Sequence, residues 1–163
     1  MKRKIIRFPS PVLRKKSKAI KRVTPEIRKL ANDMIEAMHA APGVGLAGPQ
    51  VGESIRLIVA DIGAGALALV NPKIIKKGGK HSSVEGCLSL PGVEAPVTRA
   101  ACVIVKGLDL DNTPVTVEAE GLMATVLQHE IDHLDGFVFI DRVEDPSTIK
   151  FVTANKEPKE TLI

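Results

Sequence analysis

The stretch EGLMATVLQHEIDHLDG at residues 120–136 predicts a helix with two histidines on one face. His129 and His133 are four positions apart, so both imidazoles project from the same side and can bind one metal ion. Leu122 and Val126 extend this stripe toward the start of the helix, so the histidines continue its buried face. Two core histidines without a metal are the alternative interpretation of the pattern.

Glu130 lies beside this stripe, where a carboxylate can take a proton from water that a metal activates. H-E-x-x-H is short enough to arise by chance, so a third ligand has to decide the class of site. Phe139 stands where a metzincin has its third histidine. Cys87 is another candidate, because thiolate binds Zn(II) or Fe(II) and leaves a position for water or substrate. A small buried residue is the other interpretation of Cys87, and the one we expect of Cys102.

The rest of the chain predicts an α+β fold. Thr24 followed by Pro25 marks the start of a second amphipathic helix, which comes first in the chain. Short apolar runs between turn residues predict strands at residues 55–60, 67–70, 102–105 and 115–117. Because the helices do not alternate with the strands, we expect antiparallel strands packed around the central metal-binding helix. Residues 1–163 are expected to form one catalytic domain, with a short polar tail from about residue 146.

The composition excludes several classes of protein. Hydrophobic residues make up 44% of the 163 residues, and the aromatic residues are four Phe with no Tyr or Trp. Scarce aromatic rings argue against a stacking platform for single-stranded nucleic acid, and we expect no DNA partner. No apolar run approaches the roughly 18 residues that a membrane span needs, so no membrane contact is expected.

The charge is concentrated at the start of the chain. Residues 1–30 contain twelve Lys or Arg and a single acid, Glu26. Such a segment contacts phosphates, for example on RNA, or forms only a solvated basic face. The basic start Met1–Lys4 is followed by no apolar stretch before Arg7 and Pro9, as a signal peptide would require. Two cysteines are too few for a disulfide scaffold. These features indicate a cytoplasmic location.

A glycine-rich stretch, GVGLAGPQVG, occupies residues 43–52. Gly43, Gly45 and Gly48 have the spacing G-x-G-x-x-G, but no helical pattern follows them, as a phosphate loop would require. Glycines at Gly45 and Gly48 let the backbone approach a ligand or another strand closely. Gln50 offers an amide donor near the end of the stretch, or is an ordinary turn side chain.

Three segments taken together resemble the peptide deformylase family, whose enzymes remove the N-formyl group from nascent bacterial and organellar proteins. The family's ordered motifs are G-x-G-x-A-A-x-Q, E-G-C-L-S and H-E-x-D-H. They correspond here to GVGLAGPQ at 43–50, EGCLS at 85–89 and HEIDH at 129–133, and the resemblance extends to about Val143. Gly48 replaces the second Ala of the first motif, a change that we expect to be tolerated.

The resemblance implies a role for each motif residue. The metal ligands would be Cys87, His129 and His133. The catalytic groups would be Glu130 as general acid/base, and Gln50 and the Leu88 main-chain N–H as donors to the formyl oxygen. The residues near the formyl-Met substrate would be Val44, Gly45, Leu122 and Thr125. Glu85 and Arg99 match a pair that braces the cysteine loop in the family.

The resemblance also implies a cofactor and partners. Fe2+ is the expected ion, and Zn2+, Ni2+ and Co2+ suit the same donors. We expect a monomer that acts on N-formyl-Met nascent peptides, with a transient ribosome contact through the basic first 30 residues left open. An H-E-x-x-H metallopeptidase and a catalytically silent member that binds metal or RNA are the competing hypotheses.

Overall fold

A computed structural model of the chain describes residues 3–152 and Ile163. The α-helices of this part are α1 (Pro25–Ala40) and α2 (Gly121–Leu134). The strands are β1 (Gly45–Ala47), β2 (Leu57–Ala60), β3 (Leu67–Gly78), β4 (His81–Cys87), β5 (Leu90–Arg99), β6 (Cys102–Leu108), β7 (Pro114–Glu120) and β8 (Lys150–Phe151). Short 3-10 helices lie at Pro11–Arg14, Gly48–Val51, Phe139–Arg142 and Pro146–Thr148.

The strands form two antiparallel sheets, which confirms the predicted α+β class. One sheet has five strands in the order β1-β2-β3-β6-β7, and the other has three in the order β4-β5-β8. Side chains alternate along β2: Leu57 and Val59 pack in the cluster of α1, whereas Ile58 packs in the cluster of α2. The five-stranded sheet therefore lies between the two helices, and α2 runs through the interior.

Both helices begin and end close to their predicted positions. The Thr24 hydroxyl accepts a hydrogen bond from the Ile27 N–H at 3.3 Å, and Pro25 is the first helical residue of α1. Gly136 follows α2 in the left-handed region, with a φ of 85°. A Cβ there would lie 2.5 Å from the Arg14 main-chain oxygen, so only glycine fits this helix end.

The predicted strands are confirmed as β2, β3, β6 and β7, but β3 is longer than expected. Asn71 and Pro72 were expected to end it; instead Asn71, with a φ of 53°, lies where the pairing of β3 with β6 shifts register. This irregularity lets one strand continue through two turn-forming residues. The three-stranded sheet was missed, because Pro91 and Pro96 are turn signals, yet both lie within β5, the central strand of that sheet.

The polar tail predicted from about residue 146 falls largely outside the described residues. Its first part forms a 3-10 helix and β8, which pairs with Val93 and Glu94 of β5. In the described part of the chain, no helix is both long and apolar enough to cross a membrane.

Candidate metal centre

The end of β4 meets one face of α2 in the interior of the protein. Cys87 is the last residue of β4 and is fully buried, and His129 and His133 of α2 are also buried. The Cys87 Sγ lies 3.4 Å from His133 Nε2, and one ligand atom from each of the three residues lies within 4.8 Å of the others. The structure therefore brings together the three side chains that the sequence analysis assigns as ligands.

Buried polar atoms without a hydrogen-bond partner among the described residues are concentrated at this place. They include His129 Nε2, His133 Nδ1 and both carboxylate oxygens of Glu130. Isolating such atoms from water costs free energy unless a ligand contacts them. One thiolate and two imidazoles are a donor set that Zn(II) and Fe(II) accept. The residues present therefore fit a divalent metal ion.

Burial governs the protonation of these side chains. It raises the pKa of the Cys87 thiol well above its ordinary value, and the neighbouring Glu130 carboxylate adds to the shift. It also raises the pKa of Glu130 well above its ordinary value and lowers that of His133. The protein alone thus favours the neutral form of each group. A divalent cation favours the thiolate, so metal binding releases protons at this site.

A paired network of charges lies behind the ligands; we call Glu85, Arg99 and Asp132 the brace. Glu85 accepts hydrogen bonds from His129 Nδ1 at 2.8 Å and from Arg99 Nε at 2.6 Å. Burial would raise the pKa of Glu85, but the hydrogen bonds from His129 and Arg99 outweigh it and hold the pKa below its ordinary value. The resulting carboxylate fixes His129 with Nδ1 protonated, which leaves Nε2 available to a metal.

Asp132 is the member of the brace that the sequence analysis missed. Its carboxylate accepts from Arg99 Nη1 at 3.0 Å and from Arg142 Nη2 at 3.0 Å. Asp132 lies three residues after His129 on α2 and contacts the same Arg99 that pairs with Glu85. The acidic residue at position 132 of the HEIDH segment was the available signal, because a carboxylate in a buried helix usually has a cation beside it.

Gln50 is a fully buried side chain and not an ordinary turn residue. Its Oε1 accepts from the Ala47 N–H at 2.9 Å, and its Nε2 donates to Ser89 Oγ at 3.0 Å. The same Nε2 lies 3.6 Å from Cys87 Sγ. The glycine-rich stretch and the cysteine segment are therefore joined beside the ligand atoms, and Gln50 is held in one orientation. Ser89 was not singled out from the sequence.

Close approach explains two of the glycines. A Cβ on Gly45 would lie 3.0 Å from the side chains of Glu130 and Val126, so the backbone of β1 packs directly on α2. A Cβ on Gly48 would lie 2.7 Å from the main-chain oxygens of Glu53 and Ile55. The glycine that replaces the family's Ala at this position is thus required by the local backbone.

The family comparison agrees with this geometry. The model of the family described as Polypeptide deformylase matches residues 2–148. This chain belongs to the polypeptide deformylase family. A peptide deformylase from Carboxydothermus hydrogenoformans is 46% identical over 142 residues, which cover 87% of this chain and 93% of that protein.

Solved structures of deformylases are similar to this chain in fold. A peptide deformylase from Legionella pneumophila superposes with a TM-score of 0.87 at 42% identity, covering 91% of this chain and 89% of that one. One from Thermotoga maritima has the same TM-score at 39% identity, with 89% and 99% covered. The antiparallel architecture around α2 is therefore the deformylase fold.

The residues predicted to lie near the deformylase substrate occupy different environments. Val44 is partly buried beside Val126, and Thr125 is buried on α2. Leu122 is 43% exposed, so the expectation that it belongs to the buried stripe of α2 is wrong. It lies in the first turn of the helix, where Ala124 is the residue buried against the five-stranded sheet. The Leu88 N–H donates to the main-chain oxygen of Ile163 at 3.1 Å.

The expectation for the second cysteine is also wrong. Cys102 is exposed at the first position of β6, where its Sγ donates to the Gly78 main-chain oxygen at 3.4 Å. The alternation along β6 buries Val103 and Val105 instead. Because a strand has two faces, an apolar run does not by itself say which of its residues are buried.

Proposed function

We propose that this protein is a metal-dependent amide hydrolase that removes the formyl group from N-formyl-Met peptides and releases formate. One observation carries the proposal. The buried Glu130 carboxylate has no hydrogen-bond partner among the described residues and adjoins a cluster of one thiol and two imidazoles. This arrangement suits a base beside a metal-assisted hydrolysis, and the family of the chain is one of deformylases.

The ligands in this proposal are Cys87 Sγ, His129 Nε2 and His133 Nε2. When bound, the ion supplies a Lewis acid that activates water and polarises the formyl carbonyl. We propose Fe2+ as the native ion and expect Zn2+, Ni2+ and Co2+ to bind the same donors. The brace supports this assignment, because Glu85 keeps the His129 ring oriented with Nε2 toward the other ligand atoms.

Glu130 is the general acid/base in this proposal. Its carboxylate takes a proton from the attacking water as the new C–O bond forms at the formyl carbon. It then delivers a proton to the departing amine as the C–N bond breaks, which gives formate and a free N-terminus. Burial supports this role, because a raised pKa brings a carboxyl group nearer to the pH at which it can both accept and donate a proton.

Gln50 and Leu88 are the donors to the formyl oxygen in this proposal. Negative charge develops on that oxygen as water attacks, and donors that are already oriented stabilise it without reorganisation. The Gln50 side chain meets this condition, since Ala47 and Ser89 fix its two ends. Each such donor contributes roughly 2.7–4 kcal/mol in comparable acyl-transfer sites.

Substrate selection rests on the small space around the formyl carbon. The backbone at Gly45 packs closely on Glu130, so an acetyl group adds a methyl where little room remains. The residues that we assign to the methionine side of the substrate are Val44, Gly45, Leu122 and Thr125. An apolar pocket of this kind discriminates by about 1–3 kcal/mol per methylene.

The cellular setting remains part of the proposal. We propose that the protein acts in the cytoplasm as a monomer, with a single catalytic domain, on nascent chains. Exposed cations such as Lys15, Lys16 and Lys18 support a transient contact with ribosomal RNA, because they can bind phosphates.

Matched tripeptides test the activity. Protein purified without oxygen should release formate rapidly from formyl-Met-Ala-Ser and act slowly, or not at all, on acetyl-Met-Ala-Ser. Mass spectrometry of the products should show no cut at an internal peptide bond. Comparable rates on the two peptides, or internal fragments, would instead support the metallopeptidase hypothesis.

A further inference from the structure

The proposed substrate pocket contains a residue of the chain itself. Ile163 is only 2% exposed, although residues 153–162 before it lie outside the described part of the chain. Its side chain packs with Ala60 and Val126, and Val44 and Met123 lie against the same cluster. Val44 is one of the residues that the sequence analysis assigns to the substrate.

The main chain of Ile163 makes the second contact. Its oxygen accepts the hydrogen bond of the Leu88 N–H at 3.1 Å. This donor is the one that we assign to the formyl oxygen of the substrate. Ile163 therefore supplies both an aliphatic side chain and an acceptor oxygen, the two features by which a formyl-Met peptide would be recognised.

We propose that Ile163 is an intramolecular competitor of the substrate. The inference rests on the proposed function, because it takes the Leu88 N–H and the apolar cluster as substrate contacts. Peptide and Ile163 cannot use the same donor and the same apolar space together, so Ile163 leaves when peptide binds. The competition lowers the apparent affinity for peptide and leaves turnover at saturation unchanged.

Substitutions at Ile163 measure this competition. If the pocket is free in about one molecule in ten, removing the competitor lowers KM for formyl-Met-Ala-Ser roughly tenfold, since apparent affinity scales with the competent fraction. Ile163→Asp should give this decrease with kcat unchanged, because a carboxylate is excluded from the apolar cluster. Ile163→Gly, which keeps the main-chain oxygen, should give a smaller decrease. Phe151→Ala is the matched control, since Phe151 is 83% exposed on β8 and should leave KM unchanged.

A second readout does not depend on turnover. In zinc-loaded protein with labelled isoleucine methyl groups, the Ile163 resonance is assigned by its loss in Ile163→Val. A saturating Met-Ala-Ser peptide should move this resonance to the position of a solvent-exposed isoleucine. An unchanged KM in Ile163→Asp, or an Ile163 resonance that the peptide does not move, would overturn the competitor proposal. Displacement of Ile163 without formate release from any variant would contradict the deformylase function and leave the competition in place.

Discussion

The two faces of α2 use buried polar side chains in opposite ways. On one face, every charge of the brace is paired: Arg99 donates to Glu85 and to Asp132. On the other face, His133 Nδ1 and both oxygens of Glu130 have no hydrogen-bond partner among the described residues. Paired buried charges hold a structure in place, whereas unpaired ones cost stability and are kept for a ligand or a reaction.

His129 belongs to both faces. Its Nδ1 contacts Glu85 of the brace at 2.8 Å, and its Nε2 is among the unpaired atoms of the metal centre. One nitrogen of the ring therefore holds the side chain in position, and the other is left for the metal. The comparison predicts that changes to the unpaired face remove activity and spare the fold, whereas changes to the brace remove stability first.

The largest effect is expected at Glu130. Glu130→Gln should lower kcat by about 10²–10⁴-fold, the range for a positioned acid/base, with metal content unchanged. Loss of metal in parallel with activity would make Glu130 a ligand and contradict its assignment as the base. Metal analysis and formate release on the same sample decide between these outcomes.

Without metal, Glu130→Gln should also be more stable than the metal-free wild type. Burial raises the pKa of Glu130 above the ordinary value of 4.5, so the folded protein keeps a proton that the unfolded chain loses. Stability of the wild type therefore falls as pH rises above that ordinary value. Thermal unfolding should show Glu130→Gln more stable than the wild type at pH 7 and nearly equal to it at pH 4. A less stable variant at pH 7 would place Glu130 among the paired groups.

Arg99 provides the corresponding test of the brace. Arg99→Ala leaves Glu85 buried without the guanidinium that donates two hydrogen bonds to it, and should cost about 3–5 kcal/mol of unfolding free energy. Arg142 binds Asp132 from the exposed side, so Arg142→Ala should cost under about 1 kcal/mol. Urea denaturation of the two variants compares a buried pair with an exposed pair on one shared carboxylate. Equal losses would mean that burial does not set the strength of the brace.

The smallest effect is expected at the exposed pair between Arg14 and Asp141. Burial alone would raise the pKa of Asp141, but hydrogen bonds from Arg14 and from the Val138 N–H outweigh it and lower the pKa. The pair then stabilises the fold at pH 7, and this contribution is lost as the pH falls through the lowered value. Asp141→Asn should cost no more than about 1 kcal/mol at pH 7 and nothing near pH 2. A difference that persists at pH 2 would show that charge is not its source.

Local pattern was sufficient for the helices and for the pairing of the two histidines. A capped, amphipathic segment predicts α1, and the spacing of His129 and His133 predicts that they share a face of α2. Cys87 and Gln50 were assigned through the family motifs, since their own surroundings leave open a small buried residue for Cys87 and an ordinary turn side chain for Gln50. Each motif lies on a different element, and the fold joins them only in space.

Long-range pairing accounts for what the sequence did not predict. Pro91 and Pro96 make β5 look like a turn in the sequence. The segment forms a strand because β4 pairs with it, and its own residues do not predict this. Exposure of Cys102 depends on which face of β6 meets α2. The position of Ile163 depends on contacts with Leu88 and Val126, far away in the chain. Such pairings become visible only when the partner element is in place.

Metal content of two matched cysteine variants tests the central claim most directly. Cys87 is buried among the unpaired atoms, and Cys102 is exposed on β6. Wild type and Cys102→Ala, purified without oxygen, should carry a full equivalent of metal, and Cys87→Ala should retain almost none. A full equivalent of metal in Cys87→Ala would contradict the metal centre that this account places at the end of β4.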